Sequence, residues 1–247
     1  MTLNKGSKAA IIAIMNPHNP AWSTRTRVIL EDLEAVRENL LELSEDIWTS
    51  IDHNDAEALE AGVEFKRVYN AKVAAFDIVA GELSQLIQQY TSVRLESTEQ
   101  SGTLDDSSNE RLIAELDREE PYGLDEDFTF KRPFGFILDG QATTGLTTWQ
   151  RLYELVCANL VARDEQRMRS LYEHSDFISN RGNRTIEHDP AKLRKALQIA
   201  DGLFIESNLS ANSIRDVIQR LLQQYQIPVE HMRVYLRQDR DAKGSHP

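Results

Sequence analysis

The segment Asp201-Gly202-Leu203-Phe204-Ile205-Glu206-Ser207-Asn208-Leu209-Ser210-Ala211-Asn212-Ser213-Ile214 joins a short apolar run to closely spaced hydroxyl and amide side chains that open a helical pattern. Ser207, Asn208, Ser210, Asn212 and Ser213 could do one of two things there. They could cap the first helical turn, or, with the free N–H groups of a helix start, hold a phosphate or carboxylate. Capping alone accounts for one or two of the five, so both readings stay open at this stage.

The densest basic stretch is Arg163, Arg167, Arg169, Arg181, Arg184, Lys192, Arg194 and Lys195. Arg181 and Arg184 flank Gly182, where a loop could approach a phosphate closely with Asn180 and Asn183 as added donors. Asp164, Glu165, Glu173, Asp176, Glu187 and Asp189 are interspersed among these cations. Alternating sign favours an ordinary solvated face, because a nucleic-acid footprint clusters one sign.

Metal and covalent chemistry find little support. His53 beside Asp52 and Asp55, and His188 beside Glu187 and Asp189, are sequence neighbours whose side chains diverge, and no helical His spacing or Cys pair occurs. Cys157 lies between Val156 and Leu160 on an apolar helical face and reads as core. There is no phosphate loop, nucleophile elbow or dinucleotide fingerprint. Glu206 ends a strand, but the lysine of a nuclease-type set does not follow it. No catalytic residue, metal or cofactor is assigned, and an enzyme would need Glu206 or His188 in a pocket.

These residues sit in a segment that alternates strand and helix patterns. Phe128-Thr129-Phe130 and Phe134 to Leu138 read as strands, and Asp139-Gly140 is a hairpin signal. Thr147 or Thr148 caps a helix whose buried face is Trp149, Leu152, Leu155, Val156, Leu160 and Val161. Phe177-Ile178 and Thr185-Ile186 flank a turn, and Pro190 opens an expected helix over 191–199. The strand 203–205, the helix 211–225 and the strand 232–236 follow, and a charged tail from Gln238 is expected to lack order. The interleaving predicts an α+β fold for residues 128–237.

Phe134-Gly135-Phe136 with Leu138-Asp139-Gly140, Trp149 with Leu152 and Cys157, and the Gly202 to Ile214 signature together resemble a small domain at the C-termini of many bacterial proteins. The resemblance covers residues ~130–237 and implies a bacterial source and a domain boundary near residue 128. It carries no assigned activity and supplies no catalytic residues. It also keeps open an accessory role in a defence or mobile-element system.

Upstream, Ile29, Leu33, Val36, Leu40, Leu43 and Ile47 advance by alternating four and three, a heptad seam. Ser23 or Thr24 is the expected N-cap, with an end near Asp52-His53-Asn54. Asn54 with Glu57 resembles a capping box, and Tyr69, Val73, Phe76, Ala80, Leu83, Ile87 and Tyr90 carry a second helix to about Val93. The two make an antiparallel, coiled-coil-like hairpin. Its seam leaves Leu30, Leu41, Trp48 and Phe65 uncovered. The expectation is therefore a four-helix-type dimer through residues 24–94, its interface built from Leu33, Val36, Leu40, Leu43, Ile47, Tyr69, Phe76 and Leu83. The alternative is that the C-terminal domain covers that surface.

Between hairpin and domain, residues 96–127 read as an acidic linker with one short helix around Leu112-Ile113-Leu116. Net charge is −5 over residues 1–95, −10 over 96–127 and +3 over 128–247. The acidic segment reads as a solvated spacer or as an intramolecular mimic of nucleic acid. The run Ala9 to Met15 is too short to span a bilayer and is expected to be a strand or a tail that packs on a partner. A single cysteine and no secretory pattern point to the cytoplasm.

The composite expectation is a non-enzymatic, oligomeric adaptor without cofactor or membrane attachment. Its α+β domain recognises a protein partner through Arg181, Arg184, Lys192, Arg194 and the polar cluster from Ser207 to Asn212. A nucleic-acid-binding accessory factor is the alternative.

Overall fold

Pro20 opens the first helix, where its fixed φ and missing N–H cost nothing, and α1 runs Pro20–Ser50. Ser23 and Thr24 therefore lie inside the first turns and do not cap the helix. In the turn that follows, Asp52 Oδ1 accepts from the Asn54 N–H (2.9 Å). The cap of α2, Ala56–Thr91, is Asp55, one residue later than the Asn54 expected. Its carboxylate accepts from the N–H groups of Glu57 (2.9 Å) and Ala58 (3.2 Å), and its charge also suits the helix dipole. The computed structural model describes residues 20–91, 93, 106–179 and 182–237. It divides into two compact units, residues 1–99 and 100–247. The N-terminal run Ala9 to Met15, Asn180, Arg181 and the tail from Gln238 lie outside the described residues.

The hairpin forms as expected, but α1 is rotated relative to its anticipated seam. Leu30 is fully buried, whereas Ile29, Val36 and Leu43 are 53%, 44% and 39% exposed. Leu33, Leu40 and Ile47 are half-buried, as are Leu41 and Trp48. On α2, Val73 and Ala80 are buried and Tyr69 and Phe76 half-buried, while Leu83 is exposed beside buried Ser84. The rotation follows from polar anchors that apolar spacing does not reveal. Tyr69 Oη donates to the Leu40 carbonyl (2.9 Å), and Lys66 Nζ donates to the carbonyl (2.9 Å) and hydroxyl (2.6 Å) of Ser44. Gly62 faces Ile51 so closely that a Cβ would collide with the Ile51 side chain.

The second unit is α+β, with two antiparallel sheets. One has the order β1-β7-β2-β3, comprising Pro121–Tyr122, Met232–Leu236, Pro133–Leu138 and Gln141–Thr144. The other has the order β4-β6-β5, comprising Ile186–Glu187, Leu203–Glu206 and Ala196–Ala200. Helices α3 (Asp106–Leu116), α4 (Trp149–Arg163), α5 (Glu165–Ser170) and α6 (Ala211–Gln224) complete it. Thr148 caps α4 through the Arg151 N–H, as expected. Asp139 and Gly140 both take positive φ, which makes the two-residue turn between β2 and β3 of the primed kind that matches strand twist.

Three local expectations change. Residues 128–130 form a turn instead of a strand, with Phe130 at φ +56°. The helix expected over 191–199 is a single 3-10 turn, Pro190–Lys192, followed by β5. Asp201-Gly202, with Gly202 at φ +63°, returns β5 onto β6 as a hairpin, and strand pairing overrides the local helical pattern. Third, the acidic segment is more than a spacer, because the second unit begins at Gln100 and Leu116 and Leu124 are fully buried.

Leu112, Ile113 and Leu116 of α3 pack with Ile137, Ala142 and Tyr235 on one face of the first sheet. Gly135 permits this approach; a Cβ there would meet Leu116 at 3.0 Å and the Thr143 carbonyl oxygen at 2.6 Å. Phe136, Leu138 and Val234 join the main core with Trp149, Tyr153 and Ile218 of α4 and α6.

Candidate functional site

Glu206 ends β6 and turns its carboxylate back onto its own sheet. It accepts from the backbone N–H groups of Arg194 (2.8 Å), Lys195 (3.2 Å) and Asn208 (2.8 Å). Ser207 continues the pairing: its N–H (2.9 Å) and hydroxyl (3.0 Å) both donate to the Lys195 carbonyl. Ser210 caps α6 by accepting from the Ser213 N–H (3.2 Å).

Asn212 does the most. Its amide oxygen accepts from the Phe128 N–H (2.9 Å) and from Arg215 (3.0 Å), and its amide nitrogen donates to Asp127 (2.8 Å) and to the Thr129 hydroxyl (3.0 Å). Hydrogen bonds from the Thr129 hydroxyl and backbone, and then from Asn212, hold the Asp127 carboxyl down at about 2. The polar cluster is therefore a staple: Asn212 ties the start of α6 to the 127–129 turn, and the other members finish β6 and cap the helix.

The predicted cations are likewise occupied, each by a neighbour of opposite sign or a carbonyl. Arg163 meets Asp139 at 2.6 Å, Arg169 meets Glu165 at 2.6 Å, and Arg167 reaches Asp164 at 3.6 Å and the Gln224 carbonyl at 3.1 Å. Arg184 donates to the Tyr172 carbonyl, stacks 4.2 Å above the Tyr172 ring and lies 3.9 Å from Glu187. Lys192 sits 3.8 Å from the same Glu187, and Arg194 sits 3.6 Å from Glu206. Lys192 and Arg184 are thus brought together around one buried acid, and Arg194 is joined instead to the Glu206–Asn208 corner. Arg181 lies outside the described residues.

The residues weighed for catalysis have structural partners. His188 Nδ1 is 3.0 Å from the Gly202 carbonyl and its ring lies 4.7 Å from Tyr172. Cys157 is fully buried, and burial pushes its thiol well up and that of the neighbouring Tyr153 hydroxyl likewise. Among the described residues no three His, Cys, Asp or Glu side chains gather as a metal site.

A surface feature that residue patterns did not single out lies at the end of the first sheet. Phe128 is buried against Trp149 (centroids 4.6 Å apart), the Lys131 N–H returns to the Phe128 carbonyl (3.0 Å), and Trp149 Nε1 donates to the Lys131 carbonyl (2.8 Å). This clamp holds Phe130 in the left-handed region, with the residue 51% exposed. Such backbone costs a non-glycine residue about 1–2 kcal/mol. Phe130, Tyr122, Lys131, Arg132, Leu236 and Glu119 line a groove of about 240 Å³. The one sequence signal for the turn is Asp127, whose carboxylate accepts from the Thr129 N–H two residues on (3.0 Å). Compared with protein-family models, curated proteins and solved structures, the chain matches none of them.

Proposed function

We propose that the protein is a non-enzymatic adaptor of the bacterial cytoplasm that self-associates through its helical hairpin and recognises a protein partner through its α+β domain. One observation carries this reading. Among the described residues, the exposed large apolar side chains lie on α1 and α2, except Phe130. Exposed apolar surface accompanies interaction sites, so the exposed apolar faces of α1 and α2 support self-association and the Phe130 ring supports a contact point on the second unit. The groove beside Phe130 pairs that ring with Leu236 and with cations, the mixture of apolar anchor and polar rim typical of protein recognition. No helix among the described residues is long and apolar enough to cross a membrane.

The nucleic-acid reading has less support, because the described cations of the basic stretch alternate with acids that engage them. A photo-crosslinking residue at position 130 in the full chain, expressed in the native host, tests the proposal. A discrete protein adduct supports it. Crosslinks to nucleic acid, or none with protein, refute it.

A further inference from the structure

We draw no further inference here: the strongest candidate, the exposed apolar surface of the hairpin that carries Ile29, Val36 and Leu43 on α1 and Phe65, Val68 and Leu86 on α2, has nothing in the structure to show what covers it.

Discussion

Asn212 joins the start of α6 to the 127–129 turn with one amide, and Asp127 is the acid it engages. The Asp127 carboxyl is held near 2, below its ordinary value of 3.8. A group whose folded pKa is depressed stabilises the fold above its unfolded pKa and loses that contribution as pH falls towards the folded value. Unfolding titrations between pH 5 and pH 2 should therefore show wild type losing more stability than Asp127→Asn, with the two curves converging at the acid end. Parallel curves would mean that the staple does not depend on the charge. Phe128 and Phe130 differ in the opposite sense. Phe128→Ala, in the core, should cost about 3–5 kcal/mol in urea melts. Phe130→Gly should stay within about 1 kcal/mol of wild type, since glycine accepts positive φ freely but gives up more chain entropy on folding.

At the scale of elements, α3 covers the outer edge of the first sheet. Asn109 accepts from the Ala142 N–H (2.9 Å) and donates to the Gly140 carbonyl (2.7 Å), so one side chain stands in for a neighbouring strand beside β3. An unprotected edge is a template for aggregation, and a buried N–H left unpaired costs about 1–3 kcal/mol. Asn109→Ala should therefore lower the unfolding free energy measured in urea by that amount and raise the rate of aggregation followed by light scattering. Asn109→Asp, which keeps the acceptor and loses the donor, should lie between.

The elements most visible in the chain were those whose signal is local: both long helices, α4 with its Thr148 cap, α6, β7 and the Asp139-Gly140 turn. β5 was hidden because its alternation is confined to Leu197-Gln198-Ile199, too short to outweigh the helix start at Pro190, and it becomes a strand by pairing with β6. The short helix at Leu112-Ile113-Leu116 was legible, but the acidic composition of residues 96–127 masked that it joins the sheet.

At the scale of the molecule, the second unit is the best test of where a domain begins. A fragment starting at residue 100 should unfold in one cooperative transition. A fragment starting at residue 128 removes Leu116, Leu124 and the Asn109 bridge, and should show a broad transition with exposed apolar surface. Equal cooperativity in the two fragments would show α3 to be dispensable.

The sequence by itself determined the element types wherever periodicity or turn chemistry is local, the α+β class, and the sign of the charge in each segment. It could list the side chains able to bind an anion or form a helix seam, because that capacity belongs to residue type and spacing. Only the tertiary structure decided which capacities were already used. Ser207, Ser210 and Asn212 are engaged by Lys195, Ser213 and Asp127, the described arginines between 163 and 194 are matched by acids or carbonyls, and α1 is rotated by Lys66 and Tyr69 so that Ile29, Val36 and Leu43 face outward. The outcomes at Asn212, Lys66 and Tyr69 depend on partners tens of residues away, and a hydrogen bond formed across that distance leaves no trace in local spacing.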